Sequence, residues 1–231
     1  KFFIRSNLKF KYKKSSFQNS HQVDKYNKFI NKSLNIDLPA MSLKIYSDIN
    51  LKETSKEISK NKPMLGINPG ASYGSAKRWY PEEFATVAAD LCNQYDIFII
   101  GGPNEKSISA DIEKLLIKKG VTNYQNLAGR TNISELIHLV SNFDLFITGD
   151  SGPMHLAACY QVPTISIFGP TRDRETSQWL NQKSVIIKKN LDCQPCMQRT
   201  CPLKHHKCMK LIKARDVLIH VEAVVNSSSI K

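Results

Sequence analysis

The chain has 231 residues, 41% of them hydrophobic and 23% charged, with a formal net charge of +13. That balance is ordinary for a folded globular protein and excludes a disordered or collagen-like chain. No apolar run approaches the ~20 residues that span a bilayer, and the first residues lack the apolar core and cleavage site of a signal peptide.

The chain starts at Lys1 rather than Met, so a piece of a longer protein is expected. Residues 1–44 hold ten Lys/Arg against two acidic residues. A solvated basic face is the plain reading of this excess. The functional reading is an anionic partner: a phosphorylated substrate or an anionic membrane surface touched peripherally. No aromatic-and-basic reader motif accompanies the charge, which argues against nucleic acid.

In chain order, residues 1–61 read as a basic lead-in, a helix around His21–Ile30 and a polar connector. From Met64 the pattern alternates. Met64–Asn68 reads as a buried strand, and Pro81-Glu82-Glu83 opens a helix with proline in the first turn and acids at the positive dipole end. Phe84, Val87, Ala88 and Leu91 make one apolar stripe. A strand at Asp96–Ile100, a helix near 105–119 and a short strand at Tyr124–Leu127 follow. Ile133, Leu136, Ile137 and Val140 again show helical spacing. Leu145–Thr148 is a strand, Pro153–Tyr160 a helix and Thr164–Phe168 a strand. A sixth strand at Ser184–Lys188 and a final helix over 214–226 complete the chain. Strands alternating with helices imply βαβ crossovers, hence an α/β Rossmann-like parallel sheet over 62–231.

Ligands of open α/β sheets bind outside the carboxyl ends of the strands. Five loops there are small, polar or glycine-rich: 68–72, 101–105, 128–131, 149–152 and 168–172. Such loops let backbone N–H groups approach a phosphate at a helix N-terminus. Gly149-Asp150-Ser151-Gly152 looks like a serine-protease nucleophile motif, but it lies between a parallel strand and a helix, and Pro153 replaces the second glycine of a nucleophile elbow. The better reading is an anion cradle. Backbone N–H groups of Ser151, Gly152 and Met154 would face a phosphate, with the Ser151 hydroxyl as a further donor. Asp150 could cap the helix. His155 reaches the phosphate or is a packed histidine; both readings stand. Lys77 and Arg78 precede a helix start and would neutralise charge on a departing diphosphate, or form a plain surface pair.

Together the stretches 67-INPGASYGSAKRWYPEEF-84, 101-GGPNE-105, 127-LAGRTNISEL-136, 149-GDSGPMHLAA-158 and 167-IFGPT-171 resemble the ADP-heptose:lipopolysaccharide heptosyltransferases, glycosyltransferase family 9, particularly the heptosyltransferase II branch. The resemblance implies a GT-B fold, with this chain supplying the C-terminal, donor-binding domain and residues 21–30 the interdomain helix. It implies inverting, metal-independent transfer of L-glycero-D-manno-heptose from ADP-heptose to the lipopolysaccharide inner core, in the cytoplasm or peripherally at the inner membrane. An aspartate near the family's N-terminus acts as general base, and no match for that segment is found here. By motif, Lys77, Asp150 and His155 would be catalytic. Ser72, Glu105, Gly129, Thr131, Ser151 and Gly152 would bind donor, with Glu105 taking the ribose hydroxyls.

Six cysteines remain. Cys92 and Cys159 read as small buried hydrophobes in helices. Cys193, Cys196, Cys201 and Cys208 lie within a Cys-rich loop at 192–208, spaced C-x2-C-x4-C-x6-C. Structural zinc, disulfides and free thiols are all open there. Two other classes remain beside the transferase: a non-catalytic nucleotide-binding module, and a basic zinc-stabilised nucleic-acid binder.

Overall fold

The computed structural model describes residues 20–45 and 62–226. The basic stretch 1–19 and the connector 46–61 lie outside the described residues.

Six parallel strands form one sheet: β1 (Met64–Asn68), β2 (Asp96–Ile99), β3 (Tyr124–Asn126), β4 (Leu145–Gly149), β5 (Thr164–Ile167) and β6 (Ser184–Ile187). Their order is β3-β2-β1-β4-β5-β6. The chain runs outward from β1 to β3, then crosses back to lay β4 beside β1. That reversal places a topological switch point between β1 and β4, where the loops diverge and leave a crevice. Leu65 pairs with Leu145 and Asn68 with Thr148, so both strands end level at this crevice.

β1 and β4 are buried along their whole lengths, as befits strands covered on both faces. Alternate residues supply two cores. Leu65, Ile67, Ile97, Ile99, Leu145 and Ile147 pack under helices α2 (Pro81–Leu91) and α3 (Lys106–Lys118), and Met64, Phe98 and Phe146 face the opposite layer of α4 (Ile133–Ser141) and α5 (Gly152–Cys159). Each fully buried aliphatic or aromatic side chain contributes about 1.5–3 kcal/mol of transfer free energy. Gly66 is required here for space: a Cβ would stand 2.2 Å from the Phe143 ring.

The expected elements occur with small shifts. The helix near 105–119 is α3, preceded by a 3-10 turn over Pro103–Glu105. The final helix is divided into two pieces, Ala214–Leu218 and Val221–Asn226. A tightened bond from His220 N–H to Val217 O breaks it, while Val217, Val221 and Val224 all stay buried. Two short helices were not foreseen, Asp173–Thr176 and Lys207–Lys210.

The N-terminal helix α1 (Gln22–Leu34) buries none of its own residues. It is held at its start, where the His21 ring lies 4.7 Å from that of Trp179 and His21 Nε2–H donates to Ser177 O at 2.9 Å. Lys25 pairs with Glu175 at 3.0 Å. His21 Nδ1 accepts from Val23 N–H, so the one imidazole caps the helix and docks it.

Candidate active site

The crevice at the switch point opens into a cavity of about 570 Å³, in the size range of small-ligand sites. Lys77, Asp150, Ser151, Gly152, His155, Glu105, Ser72 and Thr131 all line it. Gly129 does not. Its φ of +66° serves a turn whose N–H donates to Gly101 O, and a Cβ would lie 2.3 Å from Lys106 Cε.

One wall is charged. Lys77 ends a 3-10 turn at Ser75–Lys77, and its Nζ lies 2.6 Å from Asp150 Oδ2 and 4.8 Å from the centre of the Tyr73 ring. Asp150 Oδ2 also accepts from Thr171 Oγ1 at 2.7 Å. Asp150 therefore does not cap α5, as the sequence had allowed; its carboxylate is turned toward Lys77 and Thr171. The N-cap position belongs to Ser151, whose side chain makes no capping bond. Its hydroxyl accepts from Asn68 Nδ2 at 2.7 Å and lies 3.1 Å from Thr148 Oγ1. The first turn of α5 thus meets the cavity without a side-chain cap, and nothing stands within 4 Å of where a Gly152 Cβ would be. Uncapped N–H groups beside a cation favour an anion.

The opposite wall carries Glu105, buried at 7% exposure. Gly102 N–H donates to its Oε2. A Cβ on Gly70 would stand 2.2 Å from Glu105 Cγ, so only glycine at 70 leaves this carboxylate its place. Ile133 and Leu136 add apolar side chains to the cavity lining. His155, one turn into α5, has its pKa lowered, chiefly by burial, with the Asp150 carboxylate opposing and the Lys77 ammonium adding to the lowering. It is a neutral imidazole near pH 7.

Asn68, Tyr73 and Thr171 were not singled out in the sequence. Asn68 and Thr171 sit in the loops at the ends of β1 and β5, but their partners lie 83 and 21 residues away and only the fold shows them.

A second cavity of about 540 Å³ lies by the ends of β5 and β6. It is rich in cations, but Lys188, Lys189 and Arg172 are matched there by Asp173, Asp216 and Glu175. At the α5 end of the crevice the uncapped N–H groups add to the Lys77–Asp150 pair, which the second cavity does not match with a helix start of comparable length.

The four loop cysteines surround a small cavity of about 20 Å³ together with His205 and His206. All six thiols are free, so the disulfide reading is not met. Among the described residues no group of three His, Cys, Asp or Glu side chains is placed to hold a metal ion, so the zinc reading finds no support. Cys92 and Cys159 are half-buried rather than buried.

A doubly wound sheet with an uncapped helix start and a buried carboxylate across a switch-point crevice is the architecture of a nucleotide-binding class of α/β domain. The chain belongs to glycosyltransferase family 9 (heptosyltransferase), which it matches over residues 4–207. It is 41% identical to lipooligosaccharide heptosyltransferase 2 of Campylobacter jejuni over 227 residues, 97% of this chain and 70% of that protein. Among solved structures it is similar to E. coli ADP-heptose lps heptosyltransferase II, with a TM-score of 0.71 and 23% identity over 85% of this chain and 57% of the other. E. coli heptosyltransferase WaaC with ADP gives 0.67 and 14% over 90% and 58%. The structural likenesses show the GT-B heptosyltransferase type of fold, and the family match shows that the chain belongs to a family of transferases. Among the described residues no helix is long and apolar enough to cross a membrane.

Proposed function

We propose that this chain is the donor-binding part of a heptosyltransferase that moves L-glycero-D-manno-heptose from ADP-heptose to the lipopolysaccharide inner core. The carrying observation is the pair of walls facing one another across the crevice: Lys77, Asp150 and the open end of α5 on one side, buried Glu105 on the other. A nucleoside diphosphate has matching ends. Its ribose hydroxyls would donate to Glu105, and its diphosphate would meet the α5 N–H groups and Lys77.

In the reaction an acceptor hydroxyl oxygen gives its proton to a general base and bonds to C1 of the heptose, the C1–O bond to the β-phosphate breaks, and ADP leaves with the bonding pair. Negative charge grows on that bridging oxygen, and Lys77 is the residue placed to stabilise it. Asp150 and Thr171 hold the ammonium in position. Neutral His155 offers a hydrogen bond to the phosphate or sugar. Neither buried carboxylate is assigned as the general base: Asp150 is engaged by Lys77 and Thr171, and Glu105 by Gly102 N–H. Residues 1–61 are read as the basic lead-in and connector, with α1 as the interdomain helix. On this reading the enzyme works in the cytoplasm at the inner-membrane surface, and the chemistry assigned to these side chains needs no metal.

The test is calorimetry with ADP on the protein and on Lys77→Ala and Glu105→Ala, followed by ADP release with ADP-heptose and inner-core acceptor. Micromolar ADP binding lost in both variants supports the reading. No ADP binding, alongside salt-sensitive RNA binding, would sink it.

A further inference from the structure

The cysteine loop lies against the turn that carries Lys77. Ala76 N–H donates to Arg199 O at 3.0 Å, and His206 Nε2 lies 2.9 Å from Ala76 O. Both polar backbone groups of the residue before Lys77 are thus satisfied by this one loop. A carbonyl oxygen can only accept, so Nε2 carries the proton. Nδ1 is then the acceptor for the Tyr80 hydroxyl, 3.1 Å away, which fixes the ring. Tyr73, beneath the Lys77 ammonium, donates its hydroxyl to Met197 O at 2.8 Å. The approach is close: a Cβ on Gly74 would stand 2.2 Å from Arg199 O. The same loop reaches the other end of the charged wall, where Met197 N–H donates to Pro170 O beside Thr171.

We propose that His206 is a positioning residue, and that the cysteine loop acts through it as a clasp aiming Lys77 at the diphosphate. Ala76 is buried and the turn is only three residues long, so a turn freed from His206 loses the side chain that holds its Ala76 carbonyl, with the Asp150 contact left at the Lys77 ammonium itself. The inference rests on the reading of Lys77 as the diphosphate-binding cation. His206 lines no part of the main cavity, so its effect on ligand has to pass through the turn.

The experiment measures ADP and adenosine affinity for the 231-residue chain and for His206→Ala, His206→Gln, His206→Asn and Lys77→Ala. Gln places an amide N–H where Nε2 stood, whereas Asn replaces only Nδ1. His206→Ala and His206→Asn are expected to weaken ADP by about 3- to 10-fold, the scale of one hydrogen bond. Adenosine affinity should not change, and His206→Gln should stay within about twofold of the parent. A merely structural role would lower both ligands together, or fail to distinguish Gln from Asn, and either result overturns the proposal. So does unchanged ADP affinity in every His206 variant. If His206→Ala does not fold, the Gln–Asn comparison decides. If Lys77→Ala leaves ADP affinity unchanged, the lysine assignment itself falls; if Lys77→Ala weakens ADP and the His206 variants do not, only the clasp falls.

Discussion

Lys77 Nζ stands 2.6 Å from Asp150 Oδ2, with the two side chains 12% and 6% exposed, although 73 residues separate them in sequence. Removing one member of a buried pair leaves an uncompensated charge, which costs about 3–5 kcal/mol. This pair sits on a cavity wall, so the low end of that range applies. Asp150→Ala is expected to lower stability by about 3 kcal/mol, because it strands the ammonium and the Thr171 hydroxyl together. Lys77→Ala should cost less, since the Thr171 hydroxyl still reaches the carboxylate. Urea denaturation of both variants checks the order, and equal midpoints would contradict it.

Glu105 answers to a different part of the ligand. Gly70→Ala puts a methyl where Glu105 Cγ now lies, and the side chain is too buried to swing clear. Gly70→Ala and Glu105→Ala are both expected to weaken adenosine and ADP alike, by about tenfold, as loss of a charge-assisted hydrogen bond would. Lys77→Ala should spare adenosine. Isothermal titration with both ligands reads the difference; a Gly70→Ala protein with parental adenosine affinity would remove Glu105 from the ribose site.

How much of this was legible in sequence varies with the range of the interaction. The sheet was legible because strand and helix periodicities are local, and because βαβ handedness then leaves few topologies. Most element ends moved by a residue or two and the end of α1 by four, and the break at His220 was hidden because valines spaced as at 217, 221 and 224 fit a continuous helix as well as two short ones. At the site, Lys77 and Asp150 were singled out because strand-end loops must gather at one edge, and Glu105 through the family resemblance; all three line the cavity. Thr171 was missed because its bond to Asp150 spans two loops. Gly129 was misplaced because a glycine looks the same whether it makes room for a ligand or serves a left-handed turn. Cysteine spacing is a statement about proximity, and ligation also needs direction.

His155 gives the site a pH signature. Burial lowers its pKa in the folded protein below the ordinary value near 6.5. Between those two values the unfolded chain binds a proton that the folded one does not, so stability falls as pH drops from neutrality through that window and is restored as pH rises. His155→Gln abolishes this component. The stability advantage of the parent over His155→Gln should therefore shrink as pH is lowered from 7 toward 5, measured by denaturant midpoints. A gap that widens on acidification would show that His155 is stabilised as the cation instead.

The cysteine loop offers a chemical check on its packing. Burial, then the neighbouring Cys196, Cys201 and Cys193, push the Cys208 thiol up to about 11. The thiolate is the reactive form, so Cys208 should be the slowest of the six thiols toward Ellman's reagent at pH 8, and Cys208→Ser should remove the slowest phase. Early modification of Cys208 in peptide mapping would contradict the packing.

Asn68 donates to Thr148 and Ser151, and so joins strands whose sequence neighbours are far apart. β1, β2 and β3 can pair in the order in which they are synthesised, but β4 must return across about 80 residues to reach β1. Closing a loop of that length carries its entropic cost before any contact across it forms. The crevice cannot exist until that return is complete, so the ability to hold a nucleotide marks the joining of the two halves of the sheet. A nucleotide that binds only the joined state would also favour it by mass action, making the ligand a participant in the maturation of the domain that receives it.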